Sequence, residues 1–380
     1  MPVFEKTEIR TVALQVVTPV HVSGEVLPKW MWGTDSEKVY VLDVESLAES
    51  VGMDGIPRAM EEITGSNASW EHYRQFYREV NGLRPDKNLH RANDLVLFIR
   101  SGPAYKSSPY FPGSSIKGSL RTAVLGSAIA SDDSAQLQLR NYIVSLVSGP
   151  GGQGKRPKPT PKTVFQQWYR QTLADSKDPA HYDPFRAVSV SDAEILDGEF
   201  VVCNTVRKKL GGQHSRSSGP KSSYEFLVRG TVRFTVRFDP DLWDRLAPDY
   251  LRNLNISTVG DLLERWASWY REVINFMKGK GYPLHGVSAD RPVMVGRLSG
   301  YLSKTVALAL AGTIDEKKDP EGYYAVLQLV NGKIPQHKGG RGTGQQLLRK
   351  LRRKVWPETG TYWALSYNGS HLYPGILEIL

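Results

Sequence analysis

Residues 231–238 read Thr-Val-Arg-Phe-Thr-Val-Arg-Phe, a strict alternation that suits a strand and no helix. At a period of two, Val232, Phe234, Val236 and Phe238 share one face, and Arg233 and Arg237 share the other. Such a segment lays one face on a core and the other toward water, as antiparallel sheets allow. Residues 9–22 repeat the theme through Val12, Leu14, Val16, Val20 and Val22, and Pro19 bends that strand or confines it to an edge. The spacing predicts helices over 70–80, over 115–129 with Ile116, Leu120, Val124 and Ala128 on one face, and from Thr258 to Gly279. The last carries a stripe of Leu262, Trp266, Trp269, Val273 and Met277 behind a capping-box-like Thr258-Val-Gly-Asp261. Short strands around a turn at Asp197-Gly198 are expected over 186–202. Strands are also expected over 324–330, 363–367 and 376–380, with a basic helix over 345–354 and a short apolar helix over 306–311. Strands and helices interleave without a βαβ period or an internal repeat, so the expected class is α+β with antiparallel sheets.

A length of 380 residues supports about two to three domains. The Gly/Ser-rich basic stretch beginning at Arg207 divides the chain near its middle, into 1–206 and 207–380. The net charge of +10 is unevenly spread. Residues 149–177 carry +5, residues 207–237 carry +7 with Glu225 as their single acid, and residues 333–354 carry +8 with none. The rest of the chain is therefore about −10. Basic, glycine-rich stretches beside an acidic body are the footprint of a polyanion binder, although any one of them also serves as a solvated loop. One cysteine, Cys203, excludes an intrachain disulfide framework and fits a reducing, cytoplasmic setting. The N-terminal residues lack the apolar stretch of a signal peptide, and no run approaches the roughly 20 apolar residues of a membrane span.

Chemistry-bearing motifs are few. Tyr110-Phe-Pro-Gly-Ser-Ser-Ile-Lys-Gly-Ser-Leu-Arg121 places a Pro-Gly turn and two serines at a helix start, where unpaired N–H groups attract anions. Lys117 and Arg121, four apart, add two cations on one face. The same spacing also describes an ordinary capped core helix. Gly296-Arg-Leu-Ser-Gly-Tyr-Leu-Ser-Lys-Thr305 fails the nucleotide P-loop pattern, yet its glycines allow close backbone approach beside Arg297 and Lys304. The scattered histidines and acids form no metal-ligand spacing, so neither a metal nor another cofactor is expected. His21, after Thr18-Pro19, is a candidate general base on RNA or, more simply, a structural histidine. Asp183 and Asp192 suit turn and arginine hydrogen bonds better than Mg²⁺ ligation.

In order along the chain, these landmarks resemble the RAMP superfamily of CRISPR proteins. Thr18-Pro-Val-His-Val-Ser-Gly24 is similar to the family's first-strand ending, and Tyr110–Arg121 to its Tyr-Ile-Pro-Gly-Ser-Ser-Leu/Ile-Lys-Gly-x-Leu-Arg motif. Asp183–Asp192 resembles its Arg-x-x-x-Val-x-Asp segment, and Tyr224–Phe234 its Glu-x-x-x-x-Gly-Thr-x-Phe strand pair. Gly296–Thr305 is similar to its Gly-rich loop and Ser-Lys-Thr ending. Ser23 stands where the family often has glycine, the aromatic RNA-stacking signature is absent, and residues 333–354 carry no family motif. Within the superfamily the pattern looks most like the fifth subunit of the type III-A Csm effector complex.

The resemblance implies two packed ferredoxin-like (RRM-like) domains with helical insertions. It implies a non-catalytic, single-copy subunit on the 3′-end side of the crRNA, needed for crRNA maturation. Expected partners are crRNA, the backbone RAMP subunit, the small helical subunit and host nucleases that trim crRNA, with no membrane. Ser114, Ser115, Lys117 and Arg121 form one expected contact cluster, and Arg297, Lys304 and Thr305 a second. Arg207, Lys208, Arg216 and His21 are supporting contacts. The alternatives are a metal-independent RAMP endoribonuclease using His21, and a protein scaffold that recruits a nuclease.

Overall fold

The computed structural model describes residues 7–65, 70–89, 93–148, 161–174, 178–209, 222–279, 281–284, 286–296, 298–299, 306–310, 361–368 and 370–380. The strands are β1 (Glu8–Val16), β2 (Ser23–Pro28), β3 (Trp32–Thr34), β4 (Val39–Leu42), β5 (Tyr77–Glu79), β6 (Leu83–Pro85) and β7 (Asp94–Phe98). They continue with β8 (Val188–Val190), β9 (Glu194–Lys209), β10 (Ser222–Phe238), β11 (Pro292–Met294), β12 (Thr361–Tyr367), β13 (Ser370–Leu372) and β14 (Ile376–Ile379). The helices are α1 (Val44–Val51), α2 (Ile56–Gly65), α3 (Gly113–Ala130), α4 (Asp133–Ser148), α5 (Pro161–Gln171), α6 (Pro240–Leu246), α7 (Asp249–Arg252) and α8 (Val259–Gly279).

The alternating segment of residues 231–238 forms half of β10, the central strand. Its Val232, Phe234, Val236 and Phe238 are all buried, as the period of two requires. Strand β1 lies antiparallel to β10 from Glu8↔Phe238 to Gln15↔Thr231. On the other side of β10 runs β9, and on the other side of β1 runs the C-terminal β14, both antiparallel. Helix α8 packs through Trp269 against Gly126 of α3, where a Cβ would lie 2.4 Å from the indole. The order β14-β1-β10-β9 with two crossover helices is the ferredoxin-like arrangement, and the class is α+β. β11 extends this sheet beyond β14, and β12 and β13 extend it beyond β9. The boundary expected between residues 206 and 207 falls inside β9, whose ladder with β10 joins the two sides.

The α8 start follows its capping signature: Asp261 Oδ2 accepts from Ser257 N and Thr258 N, and Asp261 N donates to Thr258 Oγ1 at 3.1 Å. Elsewhere tertiary contacts override local pattern. Residues 70–80, expected as a helix, form a 3-10 segment from Trp70 to Phe76 and then β5. Pairing of β5 with β4, a hydrogen bond from Tyr77 OH to Trp30 O, and Arg78 on Asp43 draw the end of this segment into a small sheet. The turn expected at Asp197-Gly198 is a register irregularity inside β9, with Asp197 at φ +49° and Gly230 packed across from Gly198. The short apolar helix expected over 306–311 is a single 3-10 turn, Ala307–Leu310. The strand expected over 324–330 and the basic helix expected over 345–354 lie outside the described residues.

Candidate nucleic-acid interface

Helix α3 carries the Pro-Gly-Ser-Ser motif, and its start is fixed by contact rather than by a side-chain cap of its own. A Cβ on Gly113 would lie 2.3 Å from Val190 O, so only glycine lets the helix approach the chain there. Gly113 N donates to Asp192 Oδ1 at 2.8 Å, which places a carboxylate on the positive helix end. Ile116, Leu120 and Val124 are fully enclosed, as the core-helix spacing requires. The opposite stripe, Ser115, Gly118, Thr122 and Leu125, faces a cleft of about 930 Å³. Phe165, Trp168 and Tyr169 of α5 form its second wall, and Val295, Gly296 and Ser299 a third.

The two motifs singled out in the sequence therefore meet at one cleft. Gly296 adopts φ +107°, and a Cβ there would stand 2.6 Å from His21 O. Ser299 Oγ closes the turn on Gly296 O at 2.8 Å. Ser119 ties α3 to this wall, donating to Met294 O at 2.6 Å and accepting from Trp266 Nε1 at 2.9 Å. Arg297, Lys304, Thr305 and Arg216 lie outside the described residues, as do residues 149–160, 175–177, 210–221 and 333–354 of the basic stretches.

The expected contact residues of α3 differ sharply in their surroundings. Ser114 is exposed and Ser115 half-buried in the first turn. Lys117 is half-buried and has no hydrogen-bond or ion-pair partner among the described residues. Burial lowers its pKa, with Asp183 acting in the opposite direction. Arg121 is already engaged: its Nη2 lies 3.0 Å from Asp183 Oδ2, and its guanidinium sits 4.7 Å from the Tyr169 ring centre and 5.2 Å from that of Phe185. Asp183 also accepts from Tyr169 OH at 2.8 Å and caps the following turn through Phe185 N at 3.0 Å. Burial, and then the Asp183 charge, push the Tyr169 phenol well above its ordinary value. Asp183 thus makes the turn hydrogen bond expected of it and meets the arginine as an ion pair.

His21 offers no surface contact in this structure, contrary to its place among the expected RNA contacts. It is 1% exposed, its Nδ1 lies 2.6 Å from Glu225 O, and its Nε2 lies 2.9 Å from Ser23 Oγ. Its ring is edged by Phe98, Tyr224 and Phe226. The reason is the Thr-Pro ending of β1, which turns the chain inward. Thr18 Oγ1 accepts from Ile376 N, and Pro19 O accepts from Gly375 N, so the motif clasps β14. Arg207 and Lys208 belong to β9, paired with Trp363 and Tyr362 of β12. Lys208 is half-buried and, after burial itself, lowers the pKa of His371.

Sequence reasoning missed one buried feature beside His21. Glu225, fully buried, receives Arg100 in a two-pronged pair, Nη1 to Oε2 at 2.7 Å and Nη2 to Oε1 at 2.5 Å. Phe98 N donates to the same carboxylate at 2.8 Å. The available signal was an isolated acid inside a strongly basic, strand-forming stretch. Among the described residues no group of three or more His, Cys, Asp or Glu is placed to hold a metal ion, and no helix is long and apolar enough to cross a membrane.

Residues 13–282 match the family model described as RAMP superfamily. The chain belongs to the RAMP superfamily. No curated protein matches it. The RAMP fold is similar to one chain of a cryo-EM Csm–crRNA–target RNA ternary complex of a type III-A CRISPR-Cas system. That likeness has TM-score 0.62 at 18% identity and covers 98% of this chain and 100% of the other. It is also similar to crystalline Csm5 of T. onnurineus, with TM-score 0.53 at 18% identity over 80% of this chain and 95% of the other. At that identity the likeness is one of RAMP fold.

Proposed function

We propose that this RAMP protein is the Csm5-type subunit of a type III-A CRISPR ribonucleoprotein, holding the 3′-end side of crRNA without cleaving it. The observation that carries the reading is the end-to-end fold likeness to a chain of a Csm–crRNA complex, 98% of one chain against 100% of the other. In this reading crRNA and neighbouring Csm subunits are the partners in the cytoplasm, and trimming nucleases act on the RNA the complex presents. The first turns of α3 support it: an exposed Ser114 and a Lys117 with no hydrogen-bond or ion-pair partner among the described residues make a phosphate-positioning surface that reads no sequence. The enclosure of His21 favours a holder over a nuclease that uses this base.

Reconstitution tests the role directly. A Csm complex assembled with crRNA and this chain should protect the 3′ side of crRNA from added nuclease. Omission of the chain should expose that side. Equal protection with and without it would reject the assignment, and repeat RNA cut by the purified chain in EDTA would favour the nuclease.

A further inference from the structure

A smaller cavity, of about 150 Å³, lies beside the last turns of α8 and shares no lining residue with the cleft beside α3. Arg271, Asn275 and Lys278 line it from α8, at the i, i+4 and i+7 spacing of one helix face. The chain leaving α8 turns through Gly281 and Gly286, at φ +79° and +82°, and brings Ser288 to the same space. Ile274 and Pro292, both buried, add an apolar side to the lining.

The two cations are held in place but not used up. Arg271 donates through Nε and Nη2 to Asp290 O at 3.2 and 2.6 Å, which engages two of its five N–H groups. Lys278 Nζ donates to Val287 O at 2.8 Å, which engages one of its three. Anchoring the returning chain therefore accounts for both cations, and each keeps donors for a ligand. It does not account for the two neutral polar groups. Asn275 lies between the cations on α8, and Ser288 lies between the anchored carbonyls of 287 and 290. The polar side chains that line the cavity are thus two cations, an amide and a hydroxyl, with no carboxylate among the described residues. Of the acids on adjoining segments, Glu378 Oε1 accepts from Asp290 N at 2.6 Å and Glu264 lies 3.8 Å from Arg291. Glu272 and Asp290 do not line the cavity.

Size narrows the occupant further. A cavity of about 150 Å³ holds more than one water of about 30 Å³. It falls well short of the roughly 300 Å³ at which pockets for drug-sized ligands begin. A single polyatomic anion fits, and a nucleoside does not. A guanidinium beside an ammonium suits the several oxygens of a phosphate.

We propose that this cavity seats a phosphate group, held by Arg271 and Lys278 and oriented by Asn275 and Ser288. An RNA phosphodiester and a free phosphorylated molecule offer the same group. The site goes beyond the crRNA-holding role and stands apart from it.

The test uses the full chain, inorganic phosphate and an RNA of about ten nucleotides. Phosphate, titrated at constant ionic strength, should raise the thermal midpoint of the wild type in a saturable way. Asn275→Asp places a carboxylate in the cavity and should raise the half-saturating concentration at least about tenfold. Ser288→Ala adds no charge and should raise it about two- to tenfold, as loss of one hydrogen bond requires. Both positions are exposed, so the phosphate-free midpoints should stay within about 2 °C of the wild type. General salting effects of phosphate act on all three chains alike and cancel in the comparison. No saturable response in the wild type, or an equal response in the wild type and both variants, would overturn the site. The RNA separates the two sources. Displacement of phosphate by RNA, with a salt slope reduced by about 1 in Asn275→Asp, identifies a backbone phosphodiester. Phosphate that the RNA does not displace identifies a free phosphorylated ligand.

Discussion

Arg121 and Asp183 face each other across the cleft wall, Nη2 to Oδ2 at 3.0 Å, with the guanidinium laid over Tyr169 and Phe185. The pair joins α3 to the turn that follows α5, and Asp183 caps that turn with the same carboxyl group. One arginine thereby supplies a cation to the cleft and fastens its walls together. Lys117, one turn earlier, has no such partner among the described residues. The two cations of the motif should therefore differ in what their removal does to stability.

Arg121→Ala should lower stability by about 1–2 kcal/mol, because it removes a half-buried ion pair and a guanidinium–aromatic stack. Lys117→Ala should stay within about 0.5 kcal/mol of the wild type. Urea unfolding of the two variants side by side measures the contrast, and equal losses would refute it.

For RNA, Lys117→Ala should weaken binding about equally across sequences and reduce the slope of log affinity against log salt by about 1. Fluorescence anisotropy over a salt series reads this. An unchanged slope would remove Lys117 from the phosphate contacts.

Glu225→Ala should be severe. It leaves Arg100, whose side chain is 5% exposed, without its carboxylate and orphans Phe98 N, at a cost of about 3–5 kcal/mol. Denaturant midpoints measure the loss, and a change below about 1 kcal/mol would contradict the buried pair.

Gly113→Ala should cost about 1–3 kcal/mol or more, since the added methyl meets the Val190 and Ser191 carbonyl oxygens at 2.3 and 2.6 Å. Differential scanning calorimetry on this variant and on Gly118→Ala should move the midpoint in opposite directions.

Acid stability should depend on Asp43. Burial acts to raise its pKa, but hydrogen bonds from Ser46, Arg78 and Tyr105 outweigh it and hold the carboxyl far below its ordinary value of 3.8. A depressed folded-state pKa adds stability that is complete above the unfolded value and fades as pH falls below it. Asp43→Asn should therefore lose stability at pH 7 and show a flatter stability profile below about pH 4. Chemical denaturation from pH 7 to pH 3 tests this, and parallel profiles would exclude the linkage.

Much of the α3 site was legible beforehand. The Pro-Gly-Ser-Ser start, the buried face of Ile116, Leu120 and Val124, and the Asp261 cap of α8 all follow from local spacing and all appear in the structure. The small sheet was not legible. Residues 77–79 carry a helical pattern of apolar side chains, and only pairing with β4 from a distant part of the chain makes them a strand. The fate of His21 was hidden for the same reason, since its enclosure depends on Phe98, Glu225 and Phe226.

The sequence alone determined which segments alternate and which repeat at helical spacing, because burial of one face is a local, periodic demand. From that follow the α+β class, the central strand over 231–238 and the helix behind the serine motif. Tertiary structure decided which cation is paired and which has no partner among the described residues, that Gly296 and α3 line one cleft, and that no described residue lies within 4 Å of a Cβ at Gly118. Those outcomes depend on distances between residues far apart in the chain. An ion pair, an enclosed ring or a bare helix backbone leaves no periodic trace in the sequence.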